Sequence, residues 1–426
     1  MNAKPLGFIL LVLLLAVFGS AANVQPVEAN ANEIYVDDSN TEGPWEGTYE
    51  DPYQNITTAL THASKNDAIF VCNGTYHEKL IINQTVRLIG ENRNTTIIDG
   101  ESNGTVVTVR YVENVTIAGF TIRNSGGEGP DRGIFVWKSS GIEINNNIIT
   151  NNSAGLELRE TNSSKIACNI IANNLMSGES SGIRACQWSN DNQIYGNKIE
   201  NNGVGVRLSL GSQNPSTVFL NNLINNTLQA TGSAKWDNGV EGNYWNDYNG
   251  TDNNDDGIGD NNLPHLGLDY YPLMGPVAFF NAGTWNETTY YVYTISNSTV
   301  SQLQFDPDDT TIRFEVDSGT SKPSFCRVAI PRELLWCNSP EDWIVIIDTT
   351  PVSPNVIQNE NYTYIYFSYN QGGKTVYIKG EYAIPEFSTW IILPLTMALM
   401  LSAIILVLRN ISLKKRTNEK SEAQKL

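Results

Sequence analysis

The feature that most constrains this chain is a repeat of 22 to 28 residues built on asparagine. An aliphatic residue is followed three positions later by Asn, two later by another apolar residue, and three later by Asn again. The pattern reads Ile144, Asn147, Ile149, Asn152; Ile166, Asn169, Ile171, Asn174; Ile194, Asn197, Ile199, Asn202; and Val218, Asn221, Leu223, Asn226. Degenerate copies flank it at Ile117, Phe120, Ile122, Ser125 and at Val240, Asn243, Trp245, Tyr248. Units so short, β-branched and punctuated by Asn and Gly are not helix pairs, which need helical periodicity and about 34 residues or more. Each unit reads as one coil of parallel strands. Stacking the coils sets each Ile over the one below. Asn147, Asn169, Asn197, Asn221 and Asn243 should then form a structural ladder at one bend, because Asn tolerates left-handed backbone there and can bond its counterpart one coil on.

A second motif starts each coil: Gly133-Ile134-Phe135-Val136, Gly155-Leu156-Glu157-Leu158, Gly182-Ile183-Arg184-Ala185 and Gly205-Val206-Arg207-Leu208. Its alternation has the period of two expected of a strand. Parity turns two columns outward: Phe135, Glu157, Arg184, Arg207, and Trp137, Arg159, Cys186, Ser209, with Trp188 just beyond. Nearer the N-terminus, Ile56, Ala59, Leu60 and Ala63 fall at helical spacing, which suits a helix capping the open solenoid end.

These residues resemble the NosD-like, pectate-lyase-like superfamily of right-handed parallel β-helices. The likeness is carried by the repeats and by the closing stretch Gly242-Asn243-Tyr244-Trp245-Asn246-Asp247-Tyr248, Asp256-Gly257-Ile258-Gly259-Asp260 and Tyr271-Pro272-Leu273. It implies a β-helix domain over 32–276. The NosD name implies periplasmic copper handling for nitrous-oxide reductase, although many exported β-helices share the label without that role. After Pro276 the Asn repeat stops and aromatics alternate, as in Thr311-Ile312-Arg313-Phe314-Glu315-Val316, so 277–383 is expected to be a small antiparallel β-sandwich. There, 362–369 and 374–382 should pair as a hairpin across Asn370-Gln371-Gly372-Gly373. The expected fold class is all-β: a right-handed parallel β-helix, a β-sandwich and a C-terminal transmembrane helix.

The ends read as addressing segments. Residues 1–31 hold Lys4, an apolar run over 6–18 and small residues at Ser20-Ala21-Ala22 and Ala29-Asn30-Ala31, which fits a secretory signal peptide or an uncleaved anchor. Residues 389–408 are some twenty mostly apolar residues without a charge, interrupted by Pro394, and the tail 409–426 holds Arg409, Lys414, Lys415, Arg416, Lys420 and Lys425. This fits a transmembrane helix with a cytoplasmic basic tail. With the preceding Pro385-Glu386-Phe387, segment 384–408 resembles the PEF-type sorting signals of archaeal surface proteins, in which the helix is either retained or processed away. Thirteen Asn-x-Ser/Thr sequons lie between the ends, as on a glycoprotein of the cell surface. Of five cysteines, Cys326 and Cys337 are the expected disulfide, Cys72 is a buried free thiol, and parity argues against a Cys168–Cys186 pair.

The chain's net charge of −18 excludes nucleic acid as a partner. Three histidines and five methionines are little material for a soft-metal site, so copper is not expected. Calcium is: Asp252, Asn254, Asp256 and Asp260, with the Ile258 carbonyl, have the spacing of a hard-cation loop. Leu263 stands where such a loop places its bidentate Glu, and the alternative reading is a solvated acidic turn. Phe135, Trp137, Glu157, Arg159, Arg184, Trp188 and Arg207 form the candidate binding face, since rings stack on the apolar faces of sugars while charged groups meet hydroxyls. The competing reading is ordinary surface or cover for the C-terminal domain. Glu157 and Glu160 are the only acids near that face, and no catalytic set is evident. The expected protein is therefore a non-catalytic, membrane-anchored binder of polysaccharide or surface-layer components, with a carbohydrate-active lyase or hydrolase and a copper-handling factor as rivals.

Overall fold

The computed structural model describes residues 32–384 except 128, 130, 176–179, 210–213, 287 and 320–322. The signal peptide, the PEF-type segment, the span 389–408 and the basic tail lie outside them. Among the described residues no helix is long and apolar enough to cross a membrane. The chain divides into two compact units, one of 1–251 with Ile258–Leu273, the other of Asp252–Gly257 with 274–426.

The first unit is a parallel β-solenoid of three sheets. Sheet A has eight strands, from Glu33–Val36 to Thr217–Phe219; sheet B has eight, from Gly74–Tyr76 to Tyr244–Trp245; sheet C has seven, from Leu80–Ile82 to Leu228–Gly232. Every pairing is in register with the sequence repeat. Ile117, Ile144, Ile166, Ile194 and Val218 are lateral partners in sheet A, and Ile122, Ile149, Ile171, Ile199, Leu223 and Trp245 in sheet B. All are buried in one continuous apolar core. The strands are only two to six residues long because the repeat spaces its Asn and Gly that closely.

The expected ladder forms. Asn147, Asn169, Asn197, Asn221 and Asn243 are buried, and each accepts at its side-chain oxygen from the backbone N–H one coil earlier. The links are Asn147 to Asn169 at 3.0 Å, Asn169 to Asn197 at 3.0 Å, Asn197 to Asn221 at 3.1 Å and Asn221 to Asn243 at 3.2 Å. Their Nδ2 groups donate to strand carbonyls such as Ile144, Ile166 and Ile194. A second ladder runs through Asn152, Asn174, Asn202 and Asn226. Thus bends that would otherwise bury unpaired N–H groups are satisfied from within the stack.

The N-terminal end is closed by a helix over Ile56–His62 that buries Ile56, Ala59 and Leu60. Asn55 caps it by accepting from Thr58 N, and Glu78 accepts from the free N–H groups of Ile56 and Thr57 at 2.7 and 2.8 Å.

The second unit holds two five-stranded antiparallel sheets. They contribute to one core, Val328, Ile365 and Phe367 from the first sheet and Phe314, Val345, Val376 and Ile378 from the second. Tyr362–Tyr369 and Gly372–Lys379 are strands, but they do not pair as the hairpin expected from the sequence. The first pairs with Ser324–Pro331 and the second with Thr311–Ser318, in different sheets. Each finds eight lateral partners elsewhere, which outweighs what the short link Asn370-Gln371 offers. The expected Cys326–Cys337 disulfide is also corrected, since both are buried free thiols. Burial pushes the Cys337 thiol up to about 11. Cys72 is a free thiol but only half-buried, and Cys168 and Cys186 are free.

Candidate functional site: the outer face and edge of sheet C

Sheet C places its outward side chains in the columns that parity predicts. Phe135 is the lateral partner of Glu157, Glu157 of Arg184, and Arg184 of Arg207; beside them Trp137 partners Arg159, and Arg159 partners Cys186. Two members depart from expectation, Cys186, which is buried, and Glu157. Glu157 is fully buried, not open to a ligand. Arg132, itself buried, donates from Nε to Oε2 of Glu157 at 2.6 Å, Arg159 donates from Nη2 to Oε1 at 2.7 Å, and Arg184 Nη1 lies 3.9 Å away. Burial alone would raise this carboxyl, but the guanidinium of Arg132, its hydrogen bond, and Arg184 and Arg159 together hold it below the usual range. Glu157 therefore stays charged and organises arginines; it is not poised as a proton donor. The Arg159 guanidinium lies 5.3 Å over the Phe135 ring, and the Cys186 thiol, pushed up first by burial and then by Glu157, is 3.5 Å from Oε1.

At the end of sheet C the chain turns through left-handed, non-glycine residues in successive coils: Tyr111 (φ 55°), Lys138 (φ 50°), Glu160 (φ 50°), and Gln187 with Trp188 (φ 47° and 63°). Their N–H groups bond one coil on, Tyr111 to the Trp137 carbonyl, Lys138 to Arg159 and Glu160 to Gln187, which offsets the cost of that conformation. The result is an exposed edge. Tyr111 and Trp137 rings are 4.9 Å apart, Lys138 Nζ sits 5.3 Å from the Trp137 ring, and Glu160 accepts from Trp137 Nε1 at 3.2 Å. Tyr111 and Trp188 are 58% and 69% exposed, where burial would normally claim an aromatic ring. A shallow groove follows this edge, lined by Lys65, Gln84, Tyr111, Lys138, Glu160 and Asn162. Trp137, Arg159, Arg184, Trp188 and Arg207 are thus gathered on one face as expected. Tyr111, Lys138 and the buried Arg132 were not foreseen, because left-handed bends without Gly or Asn leave no mark in the sequence, and Arg132 lies outside the alternating run.

The 252–260 loop is divided between the two units. In its first part the Asp252 carboxylate accepts from the N–H of Asp256 and Gly257 at 3.1 and 2.8 Å, and Asn254 Nδ2 donates to Asp256 Oδ2 at 3.2 Å. Burial raises the Asp252 carboxyl, against those two hydrogen bonds. In the second part Gly259 N bonds the Pro272 carbonyl and Asp260 N the Thr251 carbonyl. Among the described residues no three His, Cys, Asp or Glu side chains are grouped to hold a metal ion. A residue not singled out from the sequence is Asp269, which ends the asparagine ladder. Fully buried, it accepts from Asn243 N at 2.7 Å, Trp245 Nε1 at 2.8 Å and Tyr271 N at 2.9 Å, and burial pushes its carboxyl up to about 6 despite them.

In comparison with known proteins, residues 60–250 match the family described as "Periplasmic copper-binding protein (NosD)". A curated relative, "Probable ABC transporter binding protein NosD" of Pseudomonas aeruginosa strain PAO1, is 35% identical over 72 residues, 16% of this chain and 17% of that protein. The match thus spans about a sixth of the relative's length. Among solved structures, pectin methylesterase PemA from Erwinia chrysanthemi is similar at 13% identity and a TM-score of 0.33, over 46% of this chain and 67% of that one. The pectin methylesterase from Aspergillus niger is similar at 16% identity and a TM-score of 0.24, over 51% and 71%.

Proposed function

We propose that this is a membrane-anchored extracellular protein whose solenoid presents the outer face and edge of sheet C to polysaccharide or another cell-surface component, without catalysis. The observation that carries the reading is the row of rings along this edge, exposed Tyr111 and Trp188 with half-buried Trp137 between them, beside Lys138 and Glu160. Rings fixed on a rigid stack lose little freedom when a sugar ring lands on them, and the adjacent charges meet its hydroxyls. Glu157, locked among arginines, lacks the mobility of a proton shuttle. In this reading 1–31 directs export, 277–383 is a β-sandwich spacer, 389–408 anchors the chain with 409–426 inside, and calcium bound by Asp252, Asn254, Asp256, Asp260 and the Ile258 carbonyl steadies the loop. The test is a glycan array with the full chain, followed by reducing-sugar and unsaturated-product assays on the hits. Binding without turnover, weakened about tenfold by Trp137→Ala, is expected; turnover would make the protein a lyase or hydrolase.

Copper handling is the second reading, favoured by the family match over 60–250. Against it, the three histidines are dispersed and separately engaged: His62 Nδ1 with the Thr58 carbonyl, His77 with Glu101 and His265 with Asp247. Tight copper binding in a titration, with no glycan signal, would put it first.

A further inference from the structure

The strands of the three solenoid sheets differ in charge. Those of sheet A carry two bases and two acids, Arg87 and Lys165 against Glu33 and Glu143, and those of sheet B likewise, Arg123 and Lys198 against Asp99 and Glu200. Those of sheet C carry Arg110, Arg159, Arg184 and Arg207 against Glu157 alone. In a chain of net charge −18 the one basic sheet is thus the sheet that also bears the exposed rings. Within it, Arg184 and Arg207 are direct lateral partners, a placement that like charges disfavour. Glu157 is shared by Arg132, Arg159 and, at 3.9 Å, Arg184, and lies at the far side of Arg184 from Arg207. Arg207 has no ion-pair partner among the described residues, and its Nε is sealed from solvent without a hydrogen bond. Sealing one edge while leaving a half-exposed guanidinium fixes its direction in advance.

We infer that the outer face of sheet C binds an acidic glycan, whose carboxylate or sulfate groups are met by Arg159, Arg184 and Arg207 on three successive coils. The inference rests on the binding-face reading above and adds the charge of the ligand. Guanidinium forks suit both oxyanions, since each presents paired oxygens. Spacing favours a glycan over nucleic acid: adjacent strands stand about 4.8 Å apart, so the face offers one positive charge per coil, whereas duplex DNA carries one charge per roughly 1.7 Å. A sparsely charged sugar chain lying along the stack meets these arginines while its rings reach Trp137 and Tyr111.

The experiment measures retention of the full, detergent-solubilised chain on immobilised alginate, alginate propylene-glycol ester, dextran sulfate and dextran. Binding to alginate or dextran sulfate, at least about tenfold tighter than to the matched uncharged polymer and weakening as salt rises, is expected, and which acid is bound separates carboxylate from sulfate. Arg184→Gln with Arg207→Gln should abolish that preference, and Arg207→Lys should retain part of it; melting curves check that the variants fold. Should the glutamine variants fail to fold, the salt dependence of the unmodified chain decides, and salt-insensitive binding overturns the inference. Equal binding to the uncharged polymers, weakened by Trp137→Ala but not by the arginine variants, overturns the inference and leaves the binding face standing. Retention on no glycan overturns both, and equal affinity for single-stranded DNA or phosphatidylserine vesicles overturns the glycan assignment.

Discussion

The solenoid and the antiparallel unit solve the same problem, satisfying buried strand edges, in opposite ways. In the solenoid every coil finds its partners on the neighbouring coil, from 19 residues away at Ala68 and Arg87 to 35 at Glu33 and Ala68, and polar side chains enter the interior as ladders that close the bends. In the second unit strands from distant parts of the chain pair, as Thr311–Ser318 does with Gly372–Lys379, and the core is built from apolar and aromatic side chains such as Phe314, Val345 and Phe367. Stability that is a sum of neighbouring coils should respond locally to damage, whereas a core gathered from the whole unit should respond as one.

Phe314→Ala tests the cooperative side and carries the largest expected effect, a loss of about 3–5 kcal/mol, because Phe314 is fully buried in the shared core. Calorimetry should show the second unit's transition shift while the solenoid's stays; movement of both would break the contrast. Asn197→Leu tests the local side. It strands the Asn169 N–H and the Ile166 and Tyr195 carbonyls, at roughly 1–3 kcal/mol. Hydrogen exchange should rise in the coils bearing Asn169 and Asn221 and remain slow near Ile117, whereas uniform acceleration along the stack would refute coil-by-coil stability.

Asp269 gives a smaller, pH-dependent effect. Its folded carboxyl, up at about 6 against an ordinary 3.8, holds its proton more tightly than the unfolded chain does. The solenoid should therefore lose stability as pH rises from about 4 to about 6, by on the order of 2 kcal/mol, and Asp269→Asn should flatten that slope. Glu157 works oppositely at lower pH: its depressed carboxyl stabilises the fold above the usual carboxylate range, a contribution lost as pH falls through its folded value. A solenoid melting point that rises between pH 4 and 6 would discard the Asp269 account. The smallest effect concerns the second unit's thiols. Dithiothreitol should leave its melting temperature unchanged, since Cys326 and Cys337 are unbridged; a fall equivalent to about 2 kcal/mol or more would signal a bond between them.

What the sequence made legible follows the same division. Ile144, Ile166 and Ile194 could be stacked from spacing alone because a coil has one register that buries them all. Asp269 was legible in principle, one further period beyond Asn243 where another ladder asparagine would fall, but a carboxylate among loop acids draws no notice until its donors are seen. Glu157 was given the right face and the wrong exposure, since parity says which way a side chain points and nothing of what folds over it; Arg132 supplies the cover. The failed hairpin between Tyr362–Tyr369 and Gly372–Lys379 has a related cause. Proximity along the chain favours pairing, and only the distant partner strands decide otherwise.

The asparagine ladder has a direction. Each rung receives an N–H from the coil before it and presents its own N–H to the coil after, so the series behaves like a sentence that any number of clauses can lengthen but only one kind of word can end. Asp269, which takes the last N–H and turns its own back to the His265 carbonyl, is that word. Coils duplicated between Phe120 and Asn243 would inherit a ready-made donor and acceptor at both joins, while a coil grafted beyond Asp269 would meet a residue whose N–H is already held by the His265 carbonyl and whose side chain has no N–H. The length of the molecule, and with it the reach of whatever face it displays, is therefore a quantity that gene duplication can adjust from the middle and not from the end.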